Sequence, residues 1–423
     1  MENNEGYHPS SRIFKSYSDS LSRKCIVLGV TASISIYRSL DTARWLMRRG
    51  AMVQTIMTQE SAKFISPDMF YWATGVRPIV NITGETEHIS LASRCDSMLI
   101  APATLSTMSK IAYSVSDNPV SLTAISFLGF KKPLVLVPAM HINMMKTKQY
   151  EEIKKRIVDS GIFIINPYFS EDVAKYPDPQ FVARVSSAHM LRGYDMKSLR
   201  VLVTAGATRN WIDDIRFISN PSSGRMGVEI AIEAYSRGAQ VELLHGHTEV
   251  QVPHTIPSYY CETTEEMSRK IKELTEKNQY DIIVGAAAPV DFEVENRFKG
   301  KLRSENNYDI KLVASKKVLN SITKKPKVLI SFAAESIKDW KELYKKAKEK
   351  IEKYKADMVV ANPANISDVG FSSLYDKVAI ILKEGSVIDI DKTLKENLAK
   401  IILDKALNMV KGVSNEDKHQ RRD

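Results

Sequence analysis

The chain has 423 residues, of which 43% are hydrophobic and 26% are charged, and its formal net charge is +10 at pH 7. This length provides for about two or three domains, and the composition is that of a globular chain rather than a low-complexity one. The sequence contains no apolar run near the ~18 residues that a membrane-spanning helix needs, which argues against an integral membrane protein.

The cysteine content bears on the cellular compartment. Cys25, Cys95 and Cys261 are scattered and odd in number, which is typical of a reducing environment. We therefore expect a cytoplasmic protein without a disulfide framework. The positive charge fits phosphorylated substrates. Much of it lies in lysine-rich helical patterns such as 338–355, where charge usually covers a solvated face, so we expect neither nucleic acid nor a membrane as partner.

The first elements along the chain form one βαβ pattern. Residues 1–23 lack an apolar core and are predicted to be a disordered extension. A strand is predicted at 25–28, a turn at 29–33, a helix at about 36–49 and a second strand at 52–57. The same order returns at 201–244, where the helix again ends in Arg-Gly-Ala.

Short apolar runs alternate with helical patterns through the rest of the chain. They lie at 97–103, 133–140, 281–289, 327–335 and 356–363. This alternation predicts two doubly wound, mainly parallel, three-layer α/β/α domains joined near 186–198. Glu384-Gly385 lies between two later apolar runs and predicts a hairpin, so the second sheet should carry an antiparallel edge. The charged tail after about 411 is predicted to be disordered.

Polar loops follow the predicted strands of the first half. Neither βα turn contains GxGxxG, which disfavours an ordinary dinucleotide-binding fold. The hydroxyl groups of Thr31 and Ser33 instead lie at a helix start, where a mononucleotide phosphate can bind. A second polar loop at 101–107 follows another strand and should lie at the same edge of the sheet. His88 comes shortly before that strand and is a candidate catalytic residue.

These motifs resemble those of the flavin-dependent phosphopantothenoylcysteine decarboxylases. The family has GxTGS, a catalytic His, APATANT and PAMNxxM, where residues 24–145 have GVTAS from Gly29, His88, APATLST from Ala101, and PAMHINM from Pro138. The resemblance implies a flavodoxin-like domain at 24–185, FMN as cofactor, and His88 and His141 as catalytic residues. It also implies a set of cofactor-binding residues, namely Gly29, Thr31, Ser33, Thr58, Ala101, Thr104 and Ser106.

The first half departs from the family in several places. Ala32 replaces Gly and Ser106 replaces Asn, and both changes look tolerable. His141 stands where the family has the Asn that holds the substrate carboxylate, and an imidazole can also donate a hydrogen bond. The family has a proton-donating Cys in a loop that corresponds to residues 170–178, and this loop contains no cysteine here. Lys175 is the nearest candidate acid, although a surface lysine without a catalytic role is an equal alternative. Because of the His in PAMH and the missing active-site Cys, we interpret the chain as an archaeal-like variant of the family.

The stretch 201–227 carries the strongest signal of the second half. An apolar run breaks at Ala205-Gly206, and Asn220-Pro-Ser-Ser-Gly224 leads into an amphipathic run. This predicts a strand, a loop and a helix, with Ser222 and Ser223 as candidate N-caps. Backbone N–H groups at such a helix start can bind a phosphate.

Residues 199–403 resemble phosphopantothenoylcysteine synthetase, which is the phosphopantothenate–cysteine ligase. VTAGATR, RFISNPSSGRMG, AAAPVDF and SFAAE match the family's VTAGGTR, RFISNRSSGKMG, AAVADY and GFAAE, and GKLRS aligns with KxKK. The resemblance implies a Rossmann-like domain at 199–410 in which Asn220 and Lys301 are catalytic and Arg303 fills a following basic position. The implied nucleotide-binding residues are Gly206, Ser222, Ser223, Gly224, Ala286, Ala287, Asp291, Lys301, Lys317, Phe332, Lys346 and Lys350.

The charge chemistry agrees with these implied roles. The resemblance implies that CTP activates a carboxylate as an acyl-cytidylate, which places negative charge on phosphates and on a carbonyl oxygen. Lys301, Mg²⁺ and the amide of Asn220 would stabilise that charge. Lys346 and Lys350 are four residues apart and so share a helix face. No metal ligand is assigned, because the His-Gly-His at 245–247 lacks a third ligand and is better explained as a polar loop.

Together the two resemblances predict a bifunctional member of the CoaBC/Dfp flavoprotein family. It would ligate 4′-phosphopantothenate with L-cysteine using CTP, then decarboxylate 4′-phosphopantothenoylcysteine to 4′-phosphopantetheine using FMN. The resemblance also implies a homo-oligomer. Two alternatives stay open: a ligase whose flavin domain binds FMN but is structural or regulatory, and a nicotinamide-dependent reductase, which the missing GxGxxG disfavours.

Overall fold

The computed structural model describes residues 8–170, 173–337, 339–364, 370 and 372–412. The chain divides between Tyr194 and Asp195 into two compact units. Residues 186–192, which lie in the predicted linker, belong to the last helix of the first unit. Within the described ranges, no helix is both long enough and apolar enough to cross a bilayer.

The first unit is built on a parallel sheet. Its strands are β1 (Cys25–Val30), β2 (Met52–Met57), β3 (Ser97–Ala103), β4 (Leu134–Pro138), β5 (Met140–His141), β6 (Phe163–Ile164), β7 (Tyr168–Ser170) and β8 (Val173–Lys175). The main sheet has the order β2-β1-β3-β4-β6, and all its neighbours are parallel. This is the flavodoxin-like order, in which the chain reverses direction between β1 and β3. The short strands β5, β8 and β7 form a separate antiparallel sheet.

Helices pack in two groups around this parallel sheet. They are α1 (Arg38–Arg48), α2 (Gln59–Phe64), α3 (Pro67–Thr74), α4 (Glu87–Arg94), α5 (Leu105–Ala112), α6 (Pro119–Gly129), α7 (Ile142–Met145), α8 (Lys148–Asp159) and α9 (Pro179–Arg192). Helix α1 contacts α3 and α9, while α6 contacts α4 and α5, and α5 contacts α8. Ile100, Leu136 and Phe127 are fully buried in the core between the sheet and the second group.

The second unit contains a larger sheet. Its strands are β9 (Arg200–Ala205), β10 (Arg209–Trp211), β11 (Phe217–Ser219), β12 (Gln240–His245), β13 (Ser258–Tyr260), β14 (Ile282–Gly285), β15 (Phe292–Val294), β16 (Leu312–Ala314), β17 (Val328–Glu335), β18 (Met358–Pro363), β19 (Tyr375–Leu382) and β20 (Val387–Leu394). The order is β13-β12-β9-β14-β17-β18-β19-β20, parallel up to β18 and antiparallel beyond it. The parallel part has the Rossmann order, with its reversal between β9 and β14.

The predicted fold class is confirmed in both units. In the second, α10 (Arg225–Ser236) and α13 (Lys395–Val410) pack on each other, while α11 (Thr264–Lys277) and α12 (Trp340–Tyr354) cover a different apolar core. The predicted hairpin is also present, since Gly385 lies between β19 and β20 with φ +96°. Glycine adopts this conformation without the steric cost that other residues incur.

The prediction of disorder for residues 1–23 is wrong for residues 8–23. This segment contains a short 3₁₀ helix at Pro9–Ile13, and Leu21 is completely buried. The N–H groups of Lys15 and Tyr17 donate to the carbonyls of Met47 and Arg48, so the segment covers the end of α1. Residues 413–423 of the predicted disordered tail lie outside the described residues.

The expectation that the cysteines form no disulfide framework is contradicted by one pair. Cys25 and Cys95 form a disulfide, and their Cα atoms are 4.5 Å apart. The pairing of β1 with β3 explains this proximity, because Ile26 lies opposite Ser97 and the two cysteines precede the paired region. Cys261 is free and buried, and burial raises the pKa of its thiol to about 11.

Candidate active sites

The first candidate site lies at the carboxyl edge of the parallel sheet in the first unit. Thr31, Thr58 and Thr104 directly follow the last residues of β1, β2 and β3, respectively. Thr31 Oγ1 donates to Pro102 O at 2.8 Å and accepts from the N–H of Thr104 at 3.3 Å. These bonds join the two loops across the β1/β3 reversal, which is where doubly wound sheets bind ligands.

Two of these threonines cap helices. The side chain of Thr58 accepts from the N–H of Ser61 at the start of α2, and Thr104 accepts from Thr107 at the start of α5. The hydroxyl group of Ser33 forms a hydrogen bond with that of Ser35, two residues later, at 3.1 Å. The polar groups at this edge can therefore contact a phosphate or a ring, as the cofactor prediction requires.

Three other predicted cofactor residues have different surroundings. Gly29 lies inside β1, where an added Cβ would be about 3.0 Å from side-chain atoms of Ile100 and Met98, so the absence of a side chain serves packing. The Ala101-Pro102 peptide is cis, and Ala101 O accepts a hydrogen bond from Ser39. Ser106 is exposed in the first turn of α5.

His88 lies in the first turn of α4, which leads into β3. Its Nδ1 atom is buried and has no hydrogen-bond partner among the described residues. A buried polar atom without a partner costs about 1–3 kcal/mol, so the site is incomplete without a ligand or water at this nitrogen. This observation fits a residue that exchanges a proton with a bound substrate.

His141 and Lys175 are brought together by the small antiparallel sheet. His141 lies opposite Val173, and Lys175 is two residues further along β8, so both side chains are on one face of the sheet. His141 is exposed, and its Nδ1 accepts from the N–H of Asn143 at 3.2 Å. This bond leaves Nε2 as the nitrogen that can donate to a substrate carboxylate.

The second unit contains a cavity of about 350 Å³ at the carboxyl ends of β9, β14, β17 and β18. This volume is within the usual range for a small-molecule site. Nine of the residues predicted for the ligase site line it: Asn220, Ser222, Gly224, Ala286, Ala287, Asp291, Lys317, Phe332 and Lys350. Residues as far apart in the chain as Asn220 and Lys350 thus meet in one cavity.

The side chain of Asn220 is held in place by its own amide group. Its Nδ2 atom donates to Ala288 O at 3.2 Å and to Pro289 O at 3.1 Å. The two N–H bonds are therefore engaged, and the Oδ1 atom is what Asn220 offers to a ligand here. The donor role predicted for Asn220 requires these bonds to be exchanged for bonds to the substrate.

The start of α10 differs in detail from the prediction. Ser222 and Ser223 are not N-caps, because the N-cap is Gly224, which has φ +73° and no side-chain acceptor. Ser222 Oγ instead accepts from the N–H of Gly224 at 3.3 Å. Any Cβ on Gly224 would collide with Thr248, so glycine is required there. An uncapped helix start can bind an anion.

Lys301 does not line the cavity. It is exposed in a loop that is bonded to the turn between β10 and β11. Asp213, which is completely buried, makes this connection by accepting from the N–H groups of Ile215, Arg216 and Leu302. Burial alone would raise the pKa of Asp213, but these bonds outweigh it and lower the pKa to about 2. The Lys301 loop is thus tied to the turn whose second strand leads to Asn220.

The other predicted lysines form ion pairs. Lys346 and Lys350 both reach Glu335, at 3.5 and 3.2 Å, which places them on one face of α12. Lys317 pairs with Asp291 at the cavity edge. A triphosphate at these lysines would have to replace Glu335 as their partner. Lys346, Ser223 and Gly206 are not part of the cavity wall.

Sequence reasoning missed several residues of the cavity. Arg225, Asn362, Asp376 and Lys395 all line it, and the last two are buried, with 5% and 3% of their surface exposed. Lys395 is one of many lysines and Asp376 lies in no recognisable motif, so no sequence signal marked them. Arg225 lies in the motif RFISNPSSGRMG, but the family resemblance implies no role for it.

No metal site is evident in the described ranges. No group of three or more His, Cys, Asp and Glu side chains is placed to hold a metal ion there. His245 contacts the carbonyl of Gly246, and His247 contacts Arg209 at 3.2 Å. These contacts agree with the interpretation of residues 245–247 as a polar loop.

Comparison with known proteins gives two family matches. Residues 14–189 match the family described as Flavoprotein, and residues 196–409 match the DNA/pantothenate metabolism flavoprotein C-terminal domain. The Coenzyme A biosynthesis bifunctional protein CoaBC of Methanocaldococcus jannaschii is 36% identical over 405 residues, which cover 93% of this chain and 98% of that protein. The protein of the same name from Thermococcus kodakarensis is 34% identical over 411 residues, 95% of this chain and 100% of that one.

A solved structure also matches the second half. The C-terminal domain of a Coenzyme A biosynthesis bifunctional protein CoaBC is 27% identical, and the match covers 52% of this chain and 99% of that one with a TM-score of 0.43. The two family matches and the full-length relatives agree with the order of the two units. The chain belongs to the CoaBC family of bifunctional coenzyme A biosynthesis proteins.

Proposed function

We propose that this chain carries out both reactions of its family. The second unit ligates 4′-phosphopantothenate with L-cysteine, with CTP as co-substrate and Mg²⁺ as metal. The first unit decarboxylates the product to 4′-phosphopantetheine with FMN. The observation that supports this best is that the motif residues of each half gather at the strand-order reversal of a different sheet.

In the first unit, the polar loops at the β1/β3 reversal would hold FMN. Thr31, Ser33, Thr58 and Thr104 supply hydroxyl and N–H groups at that edge. When bound, FMN supplies reversible hydride acceptance. The protein then needs a group that moves a proton, which we assign to His88, and a donor for the substrate carboxylate, which we assign to Nε2 of His141. Lys175 is on the same face as His141 and is our candidate for the second proton transfer.

In the second unit, the cavity would hold the nucleotide and the acyl group. Phe332, which lines the cavity, would stack on the base, and the uncapped start of α10 would contact phosphates. Lys301 would reach the cavity if the loop that is hydrogen-bonded to Asp213 moved. Its positive charge would then stabilise the negative charge that develops on the phosphates and the carbonyl oxygen. Mg²⁺ would be held mainly by the phosphates, since magnesium sites often use few protein ligands.

The ligase-only alternative rests on one observation. The described part of the 170–178 loop has no cysteine and offers Lys175 in its place. If Lys175 cannot donate the proton, the flavin unit would bind FMN without completing the reaction. This alternative makes the same prediction for the second unit and a different one for carbon dioxide release.

We further propose that the protein is a homo-oligomer. Ile34 and Tyr37 directly follow the Thr31–Ser33 loop and are 79% and 57% exposed. Apolar side chains this exposed beside a cofactor loop are typical of a surface that another subunit covers.

The two units should work apart. A fragment of residues 195–423 is expected to form phosphopantothenoylcysteine with CTP and Mg²⁺ and to bind no flavin, because the cavity lies entirely within it. The measurements are a ligation assay and an absorbance spectrum. The full-length chain, expected to be yellow with FMN as its released cofactor, is the control. A fragment that melts cooperatively yet makes no product would contradict the assignment of ligation to this unit alone.

A further inference from the structure

The wall of the ligase cavity contains a cluster of charged side chains without an assigned role. Arg225 is the first residue of α10, Lys395 is the first residue of α13, and Asp376 lies near the start of β19. All three line the cavity. Glu229 is one turn after Arg225 on α10 and interacts electrostatically with Lys395.

The cluster has specific internal contacts. Lys395 Nζ donates to Gly370 O, and the carboxylate of Asp376 accepts from the N–H of Lys377 at 3.0 Å. Burial raises the pKa of Asp376 to about 6, and the nearby positive charge of Lys395 partly offsets this effect by favouring the charged carboxylate. The buried Nε of Arg225, in contrast, has no hydrogen-bond partner among the described residues. A guanidinium that lines a cavity without such a partner is a strong donor for a carboxylate.

The charge of the cluster indicates what it can bind. Arg225 and Lys395 are balanced by Asp376 and Glu229, so the cluster is neutral as a whole. A phosphate or triphosphate here would bring several negative charges beside the buried carboxylate of Asp376 and the half-buried carboxylate of Glu229, which is unfavourable at low dielectric. An α-amino acid carries one ammonium and one carboxylate on the same carbon, and so matches a neutral site that offers one group of each sign.

We propose that Arg225 and Asp376 form the subsite for the amino-acid substrate of the ligase, L-cysteine in the proposed function on which this inference rests. Arg225 binds the carboxylate and Asp376 binds the ammonium group. Lys395 is a positioning residue whose positive charge lies close to Asp376 and favours its carboxylate form. The amine is thereby delivered to the same cavity that holds Asn220 and Phe332.

Two assays separate this subsite from the nucleotide site. Exchange of pyrophosphate into CTP in the presence of 4′-phosphopantothenate requires no cysteine, whereas amide formation does. For Arg225→Gln and for Asp376→Asn we expect the KM for cysteine to rise by at least about tenfold, the loss of one charge-assisted bond. In both variants, the rate of pyrophosphate exchange should fall much less than the rate of amide formation measured at low cysteine concentration. Lys377→Gln is the matched control. Lys377 follows Asp376 in the chain, but its ammonium group pairs with Asp391 at 3.1 Å, so the substitution removes a nearby positive charge that is not part of the cluster.

Three outcomes would overturn the proposal. An unchanged cysteine KM in both variants would show that the cluster does not bind the amino acid. A parallel loss of exchange and a raised KM for CTP would make it a phosphate subsite. An equal rise in the cysteine KM for Lys377→Gln would show a general charge effect. Should Asp376→Asn fail to fold, Arg225→Gln decides, since it breaks no bond at Nε. A wild-type protein without exchange or ligation would refute the proposed function instead.

Discussion

Replacing His88 with Asn is expected to abolish carbon dioxide release from phosphopantothenoylcysteine while FMN stays bound. His88 has a buried ring nitrogen without a partner in the described structure, and Asn cannot exchange a proton near neutral pH. Losing a general acid or base typically lowers a rate by about 10²–10⁴-fold. The measurement is single-turnover carbon dioxide release by the purified variant, together with the FMN content of the protein.

The matched control for this variant is His8→Asn. His8 is in the same unit, but its Nδ1 bonds to Ser10 on the N-terminal segment at 2.8 Å. It should therefore release carbon dioxide at the wild-type rate. If His88→Asn kept its FMN and also kept normal turnover, His88 would not be the proton-transfer residue.

Lys301→Gln is expected to abolish amide formation and to leave decarboxylation of supplied phosphopantothenoylcysteine nearly intact. The substitution removes a positive charge that the proposal directs at the reacting carboxylate, and the loss of one such group costs about 10²–10³-fold in rate. Decarboxylation is assigned to the first unit, whereas the loop that contains Lys301 belongs to the second unit. Both rates are measured on the same preparation.

Lys299→Gln provides the comparison for Lys301. Lys299 is exposed in the same loop, two residues earlier, and has no assigned role. It should ligate normally. A loss of both reactions in Lys301→Gln, with an unchanged melting temperature, would contradict two separate sites.

The sequence predicts the fold well because its signals are local. Buried strands such as Val201–Ala205 read as short apolar runs, and the alternation with helices leaves few possible topologies. The hairpin at Glu384-Gly385 follows from turn chemistry in the same way. The doubly wound class of both sheets, and the meeting of the 29–33 and 101–107 loops at one sheet edge, could therefore be anticipated.

The contents of the ligase cavity could be anticipated only in part. Asn220 and Phe332 lie in motifs, but the bonds of the Asn220 amide to Ala288 and Pro289 depend on a loop almost 70 residues away. Asp376 and Lys395 come from elements that the sequence marks only as a strand and a helix. Helix α13, which begins at Lys395, packs against α10 and also contacts β19, and no local pattern encodes these contacts.

The two departures from prediction in the first unit, the ordered segment 8–23 and the disulfide, have similar causes. The segment 8–23 looks disordered because it is polar, yet backbone bonds to the end of α1 and a single buried leucine hold it in place. Cys25 and Cys95 are 70 residues apart, and only the parallel pairing of β1 and β3 brings them into contact.

The most direct test of the account is a coupled assay on the full-length wild-type protein loaded with FMN. It is supplied with 4′-phosphopantothenate, L-cysteine, CTP and Mg²⁺, and both products are followed in one vessel. We predict that phosphopantothenoylcysteine forms first and is then converted to 4′-phosphopantetheine with release of one carbon dioxide for each phosphopantothenoylcysteine consumed. Accumulation of phosphopantothenoylcysteine without carbon dioxide, in a protein that retains its FMN, would contradict the bifunctional assignment and establish the ligase-only alternative.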